Sequence, residues 1–466
     1  MSKNKNMKDL TTGSPMRLLL SFMLPLLLGM VFQQFYNMVD TMVVGKFLGV
    51  QALAGVGSTG SVNFLVIGLC NGICAGFAIP VAQKFGQRDF DGLRKFVGNM
   101  IWLGIFFAVT ITLATTVGCR KILMWMNTPK DTFSYAYDYI FLVFLGIPAT
   151  MLYNLLSGII RSLGDSRTPL YFLIFSSLLN VVLDLAFIVW LDMGVAGAGW
   201  ATLLSQLISG LLCLWYMVGH FPVLKMGKEA LRPERCYMVR LLAMGLPMGM
   251  QYSITAIGSI LLQTAVNTLG APAMAAMTAG GKVSMFAVCP FDAIGSTAAT
   301  FAGQNIGAGK PERVHQGVRA ASLLGIVYSG VILVVLALWG GELTTVFLDA
   351  GDAEAVHVIL PMSKRFLICN AIFYIPLLYV NLLRFTIQGL GFSNLAVLAG
   401  VFEMVARGVF GMCLVPYFGF DAVCFANPAA WIMADLFLFP AYYACLKKRG
   451  YEPRRCKAKQ IEKAQC

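Results

Sequence analysis

The stretch from Met23 to Gly49 combines a lipid-like composition with side chains that can bind protons or cations. Drawn as a helix at 100° per residue, it gathers four polar residues on one arc of about 100°: Gln33, Tyr36, Asn37 and Asp40. A carboxylate that faces lipid costs about 2.5–3.5 kcal/mol even on the mildest scale. This arc is therefore expected to face the protein interior or a water-filled cavity, and Asp40 is a candidate functional residue.

A second acid occurs in the apolar segment "SSLLNVVLDLAFIV", where Asn180 and Asp184 lie four residues apart on one helix face. At 1.5 Å per residue, Asp184 lies ~22 Å along its span, at a depth comparable to that of Asp40. Two carboxylates that meet in a low dielectric cannot both stay ionised at low cost, so they hold a proton or share a cation. The pair predicts a proton or Na⁺ relay.

Other polar residues have simpler interpretations. Gln33 and Gln34 would serve equally well as interhelical hydrogen-bond partners. Glu403 and Arg407 stand at i, i+4 in the favourable order, which predicts a self-neutralising structural ion pair. Asp292 is a further intramembrane acid without an evident partner, and its role is left open.

The composition is that of a membrane protein. The 466 residues have a mean hydropathy of +0.74 and are 12% charged, whereas a soluble chain carries roughly 25% charged residues. The net charge of +13 is concentrated in short loops and at the two ends, which indicates membrane topology and not nucleic-acid binding. The 12 cysteines form no CxxC pair, and the 3 histidines form no cluster with them, so neither a metal site nor a disulfide framework is predicted. No nucleophile–His–Asp arrangement and no ATPase domain is recognised, so we expect a transporter without cofactor and not an enzyme.

Twelve apolar runs are long enough to cross a bilayer, and all are predicted to be helices because each must satisfy its own backbone in lipid. The predicted spans are 17–45, 53–81, 96–118, 135–160, 169–191, 196–219, 239–267, 273–303, 318–340, 359–387, 395–416 and 421–446. They divide the chain into a tail (1–16), an N-terminal lobe (17–220), a linker (221–238), a C-terminal lobe (239–446) and a basic tail (447–466).

The distribution of Lys and Arg predicts the orientation. Three loops joining an even to an odd span are rich in cations: Lys84, Arg88, Arg94 and Lys95; Lys225, Lys228, Arg232, Arg235 and Arg240; and Lys310, Arg313 and Arg319. The loops 5–6 and 11–12 on the other side have none. We therefore expect a multi-pass protein of the plasma membrane with both termini in the cytoplasm.

An internal repeat divides the chain into two halves. The segment 47–62 recurs at 268–283 with a shift of 221 residues, and the same shift carries Gln83 and Gly86 onto Gln304 and Gly307. Each half holds six spans, so both halves enter the membrane from the same side. The fold class is therefore an all-α polytopic membrane protein of two six-helix bundles, related by a pseudo-twofold axis along the membrane normal, with a substrate cavity between them.

The sequence resembles the MATE (multidrug and toxic compound extrusion) transporters. The motifs that carry the resemblance are "PLLLGMVFQQFYNMVDTMVVGKFLGVQALAGVG", the paired "AQKFGQ" and "GQNIGAGK", and "RSLGDSRTP", in a chain that resembles the family over 14–446. The segments "NVVLD" and "ATLLSQ" are most similar to the DinF/MepA-type branch.

The resemblance implies a cation site in the N-terminal lobe and a substrate pocket beside it. The implied cation site comprises Tyr36, Asp40, Asn180, Asp184 and Thr202, with Na⁺ as the only metal ion expected. The implied substrate pocket comprises Gln33, Gln34, Asn37 and Asn154. The NorM-type branch places acids on the seventh and tenth spans. Here the seventh span has Gln251, Gln263 and Asn267 and the tenth has no acid, so the sequence does not support a cation site in the C-terminal lobe.

We therefore expect a secondary active multidrug efflux antiporter that acts as a monomer. It would export small amphipathic organic compounds, expected to be cationic, in exchange for H⁺ or Na⁺. The alternative is a flippase for lipid-linked saccharides, which would need cationic residues in the central cavity for a pyrophosphate. Arg407 is the one clear candidate in the sequence for such a residue, and this disfavours the alternative.

Overall fold

The computed structural model describes residues 8–126, 128–347 and 355–451 as helices joined by short turns. Twelve long helical segments are α1 Pro15–Ser58, α2 Gly60–Gln87, α3 Phe90–Trp125, α4 Lys130–Leu145 with Ile147–Ser162, α5 Arg167–Trp190, α6 Val195–His220, α7 Arg235–Asn267, α8 Ala271–Gly307, α9 Pro311–Thr345, α10 His357–Ile372 with Tyr374–Gly389, α11 Ser393–Phe418 and α12 Phe420–Lys448. The first and last residues of every predicted span lie within seven residues of the corresponding helix ends, when α1 is counted only to its break at Gly49. Most of the two predicted tails, 1–7 and 452–466, lies outside the described residues.

Most of these segments can cross a bilayer by length and composition. Within the described residues, nine helices are long and apolar enough on their own. The two parts of α4 meet at 43° and those of α10 at 54°, and each pair passes as one broken span. The remaining segment, α7, has 33 residues and packs along α2 and α11. The chain is thus an all-α polytopic membrane protein with a twelve-helix, two-bundle architecture.

The turn between α2 and α3 illustrates how the short connections are fixed. Asp89 caps α3, because its Oδ1 accepts a hydrogen bond from the Gly92 N–H at 2.9 Å. The Lys84 ammonium, 2.6 Å from Asp89 Oδ2, together with the Gly92 N–H, holds the pKa of Asp89 below its usual range. Asp89 therefore links the first turn of α3 to the last turn of α2.

The interface between the two bundles is formed by α1, α2, α7 and α8. The helices α2 and α7 approach each other closely along this interface, where a Cβ added at Gly76 would come within 2.5 Å of the Gly245 Cα. A Cβ at Gly72 would come within 2.5 Å of the Met248 carbonyl oxygen. Glycine thus lets these two helices pack backbone against backbone, as small residues do in membrane bundles.

The sequence repeat is also a repeat of backbone conformation. Gly49 and Gly270 are 221 residues apart, and their φ/ψ angles are 85°/−179° and 90°/178°. Both glycines adopt a positive φ that side chains with a Cβ rarely accept. Gly49 interrupts α1, the first helix of the N-terminal lobe, and Gly270 follows the end of α7, the first helix of the C-terminal lobe.

At one end of the molecule the two lobes are sealed by repeat-related contacts. We call it the basic end and define it by residues 84–95, 221–240 and 304–319. Gln83 Nε2 on α2 donates to the Gly389 carbonyl at 3.0 Å, and Gln304 Nε2 on α8 donates to the Ser162 carbonyl at 2.8 Å. Each glutamine therefore bonds the last residues of a helix in the opposite lobe. The cavity described below is closed at this end.

The chain before α1 packs on this seal. Leu10 is fully buried, and its N–H donates to Gln304 Oε1 at 3.0 Å. Arg313 NH2 donates to the Gly13 carbonyl at 3.0 Å, and Asp9 Oδ2 lies 3.8 Å from Arg88 NH2. The segment therefore contacts both lobes at the basic end.

Gly86→Ala and Gly307→Ala are each expected to open the basic end. An added Cβ would lie 1.9 Å from the Gln304 carbonyl oxygen or from the Gln83 carbonyl oxygen, so α2 and α8 must separate. Spin labels at Asp91 and Glu312, in a background without other cysteines, report the distance between the lobes. We expect the distance distribution to shift to longer values in both variants.

Two glycines on the same helices provide matched controls. Gly60 on α2 and Gly281 on α8 have no heavy atom within 4 Å of an added Cβ, so their alanine variants should keep the wild-type distance distribution. If the Gly86 and Gly307 variants also kept it, the close crossing of α2 and α8 would not be what holds the two lobes together at this end.

Candidate functional site

The acids predicted from α1 and α5 meet inside the N-terminal lobe. Asp40 is 7% exposed and Asp184 is 0% exposed, and their carboxyl groups lie within hydrogen-bonding reach of each other. Asp40 precedes Gly49, the end of its span, by nine residues, and Asp184 precedes Trp190, the end of its span, by six. Both helix ends lie opposite the basic end. The comparable depth expected from the sequence therefore agrees with their positions.

The other residues of the implied cation site surround this pair. With its amide oriented to satisfy both ends, Asn180 Nδ2 donates to Asp184 Oδ2 at 3.0 Å, and its Oδ1 accepts from the Thr202 N–H at 3.2 Å. The Tyr36 hydroxyl hydrogen-bonds with the Thr202 side chain. The five side chains from α1, α5 and α6 thus form one connected polar group, although their roles stay predictions.

One member of this group was not predicted from the sequence. Tyr139 on α4 is 8% exposed and lies close enough to interact electrostatically with Tyr36, Asp40 and Asp184. The helix that carries Tyr139 begins at Lys130, on the side of the molecule opposite the basic end. Tyr139 is nine residues further along, and it therefore lies at the same depth as the two acids. This depth was the one feature of the sequence that could have identified Tyr139 as a site residue. A tyrosine in an apolar span is otherwise typical of a side chain that packs between helices.

The chemistry of this group suits one small cation. Within the described residues, no Lys, Arg or His lies within 4.0 Å of either carboxylate, and Asp40 Oδ1 and Asp184 Oδ1 are buried without a hydrogen-bond partner. A hydrogen bond between two carboxyl oxygens requires a proton on one of them. Carboxylate, amide and hydroxyl oxygens are also the ligands that hard cations prefer. The residues therefore fit either H⁺ or Na⁺.

A cavity of about 720 Å³ lies between the lobes next to this group. Asp40, Tyr36 and Thr202 face it, whereas Asn180 and Asp184 are not in its lining. The four residues predicted for the substrate pocket all line it: Gln33, Gln34, Asn37 and Asn154. Asp40 is thus the member of the acid pair that connects the ion site to the cavity.

Further polar side chains in the lining were not predicted. They include Asn63, Asn71, Arg161, Gln206, Tyr252 and Lys282. Arg407 is not in the lining, so the expectation that it would be the clear cationic candidate of the cavity is wrong. Among the residues that the structure describes, the cations that do line it are Arg161 on α4 and Lys282 on α8.

In the C-terminal lobe, Glu403 and Arg407 do not form a self-contained pair. Glu403 Oε2 accepts from Arg407 NH2 at 3.4 Å, and its Oε1 accepts a hydrogen bond from Arg384 NH2 of α10. Arg407 Nε also donates to Asn427 Oδ1 on α12 at 3.1 Å. The sequence prediction is therefore corrected to a buried network of three charges, because an i, i+4 rule does not see a partner from another helix.

Two more acids lie close to this network. Asp435 on α12 is 9% exposed and Asp292 on α8 is half-buried, and both interact electrostatically with Arg384. None of the charged groups Arg384, Glu403, Arg407 and Asp435 lines the cavity. The position of the network between α10, α11 and α12 indicates a role in packing the C-terminal lobe.

A two-lobed helical membrane protein with an ion site beside a central polar cavity has the architecture of a secondary transporter. The chain belongs to the MatE family, whose family model matches residues 25–186 and 247–412. It is similar to "Probable multidrug resistance protein YoeA" of Bacillus subtilis, with 28% identity over 344 residues, 72% of this chain and 74% of that protein. It is also similar to "Multidrug export protein MepA" of Staphylococcus saprophyticus, with 22% identity over 84% of this chain and 88% of that protein.

The fold matches solved structures of the same family. One is described as the outward-facing conformation of a multidrug resistance MATE family transporter of the MOP superfamily. It superposes with a TM-score of 0.88 at 22% identity and covers 96% of this chain and 99% of that chain. The all-α, two-lobed architecture predicted from the repeat is thus confirmed.

Proposed function

We propose that this protein is a secondary active multidrug efflux antiporter of the plasma membrane, which exports amphipathic organic compounds in exchange for H⁺ or Na⁺. The observation that carries the proposal is the buried pair Asp40–Asp184, which opens through Asp40 onto the cavity between the lobes. The names of the relatives as multidrug resistance and export proteins support it.

The basic end is the cytoplasmic side in this proposal, because positive loops stay inside. The described conformer is then closed towards the cytoplasm. Binding of the incoming ion at Asp40 and Asp184 changes the charge of the cavity wall and releases the exported compound outward. The lobes then rock about the axis between them, and separation of α2 and α8 at the basic end opens the cavity to the cytoplasm.

A lack of cations in the cavity does not disfavour the flippase alternative, although the sequence suggested that it would. Arg161 and Lys282 both line the cavity and provide such cations. What supports the antiporter is the acid pair, which a lipid flippase without ion coupling would not need, since unpaired acids in a membrane are costly.

The decisive experiment is transport in proteoliposomes with one imposed gradient at a time. We expect movement of cationic, neutral or anionic dyes driven by either a pH gradient or a Na⁺ gradient, and collapse of transport when an ionophore dissipates it. Transfer of a fluorescent lipid-linked saccharide between leaflets, with no gradient-dependent dye transport, would support the flippase instead.

A further inference from the structure

Among the described residues, the central cavity is lined by more positive than negative side chains. The formally charged members of this described lining are Asp40, Arg161 and Lys282, and Asp40 is already engaged with Asp184. Within the described part of the chain, neither cation has a carboxylate within 4.0 Å. The lining therefore presents two cations without an ion-pair partner.

Arg161 reaches from the end of α4 towards the middle of the membrane. Its NH2 donates to Ser157 Oγ at 3.3 Å, one turn back along α4, so the guanidinium points away from the last carbonyls of its helix. Tyr252 on α7 and Cys74 on α2 interact electrostatically with it, and both lie near the midpoints of their helices. A helix-capping role would direct the side chain the other way.

The neighbours of Arg161 do not neutralise it. Tyr153, Tyr252, Cys74 and Cys213 are all neutral side chains in their ordinary protonation states. A charged side chain deep in a membrane protein is costly and marks a substrate or ion pathway by default. A guanidinium also offers a planar set of donors that matches carboxylate and phosphate groups.

Lys282 provides a second charge on the wall contributed by the C-terminal lobe. It is exposed and lies on α8, close in sequence to Met285 and Phe286, which also line the cavity. Phe286 contacts Phe35 of α1, with ring centroids 5.2 Å apart, so apolar surface from both lobes lies near Lys282. A cation next to apolar surface is suited to an amphipathic anion.

We propose that Arg161 binds the anionic group of an amphipathic substrate, a carboxylate, sulfonate or phosphate, and that Lys282, which lies farther from the basic end on the wall of the C-terminal lobe, attracts it at longer range. The exported compounds then include organic anions and zwitterions. This proposal rests on the proposed function, since it names a substrate class for the same cavity. Because the anion is held by Arg161 and not by Asp40, its release on ion binding follows from the conformational change and not from a lost charge attraction at Asp40.

The test compares two probes that differ in one charge: rhodamine B, which has a free carboxylate, and its methyl ester, which does not. Equilibrium binding to the purified full chain is measured by fluorescence anisotropy without any ion gradient. Arg161→Gln is expected to weaken binding of rhodamine B by about 10-fold or more, because hydrogen bonds to charged groups are among the strong ones, while the ester changes by less than about twofold. Arg161→Lys should recover part of the loss.

Two further variants keep the test decisive. Lys282→Gln, at an exposed position, should weaken rhodamine B selectively by about 2- to 5-fold, in a salt-dependent manner, even if Arg161→Gln fails to fold. Arg120→Gln is the matched control, because Arg120 is an exposed arginine on α3 outside the cavity lining, and it should change neither probe. Equal weakening of both probes by the Arg161 and Lys282 variants, or no change in either, would overturn the proposal.

The two proposals fail in different ways. If gradient-driven dye transport is absent but the carboxylate selectivity depends on Arg161, the antiporter function is wrong and the anion site stands. If wild-type transport is normal but Arg161→Gln leaves the ratio of the two binding constants unchanged, the anion site is wrong and the antiporter function stands.

Discussion

Replacing Asp184 by Asn is expected to abolish ion-coupled efflux while the protein remains folded. Asparagine has the same shape but cannot exchange a proton or supply a carboxylate to Na⁺. Each charge moved across 100 mV supplies ~2.3 kcal/mol, which sustains a substrate gradient of nearly fifty-fold. In the Asp184→Asn variant that accumulation should fall to the level reached without a gradient. Dye transport in proteoliposomes, with pH and Na⁺ gradients imposed separately, measures the loss.

Asp40→Asn should give the same loss, because the two carboxyl groups are in contact and are expected to act as a unit. The double variant should then be no worse than either single variant, which is the behaviour of residues that share one function. Asp138→Asn is the control, since Asp138 is an exposed aspartate on α4 next in sequence to Tyr139 and outside the cavity lining. Undiminished efflux by Asp40→Asn and Asp184→Asn under both gradients would refute the coupling role.

The second large effect is expected on stability in the C-terminal lobe. Glu403→Gln leaves the guanidinium groups of Arg384 and Arg407, which are 5% and 7% exposed, without their shared carboxylate. Removing one partner of a buried ion pair costs about 3–5 kcal/mol, because the remaining charge is neither hydrated nor paired. We expect a markedly lower thermal unfolding temperature in detergent and a lower yield of folded protein.

A compensating variant separates this explanation from a simple packing defect. Arg384→Gln combined with Glu403→Gln removes one positive and one negative charge and should recover part of the stability lost in the single variant. Glu342→Gln, at an exposed position on α9, is the control and should unfold as the wild type does. If Glu403→Gln unfolded at the wild-type temperature, the three-charge network would not be a stabilising element.

The positions of the candidate site residues were predicted well where a local rule applies. The helical arc that selects Asp40 and the four-residue spacing of Asn180 and Asp184 depend only on helix geometry, and those side chains do face one another. Tyr139 was missed, because nothing in the spacing of an isolated tyrosine distinguishes a site residue from a packing residue. Arg161 was missed as a cavity residue because it belongs to the last turn of α4, where a cation is ordinary in sequence terms.

The sequence by itself determined the number of spans, the repeat, the polar faces of the helices and the position of an acid in the first and the fifth span. These features follow from hydropathy and helical period, which are properties of neighbouring residues. The 221-residue shift even selected Gln83 and Gln304, whose reciprocal bonds close the basic end. Only the tertiary structure decided that Glu403 pairs with Arg384 as well as Arg407, and that Arg161 and Lys282 share one cavity. The physical reason is that a long side chain reaches across helices to a partner remote in sequence, and no local pattern records which helices are adjacent.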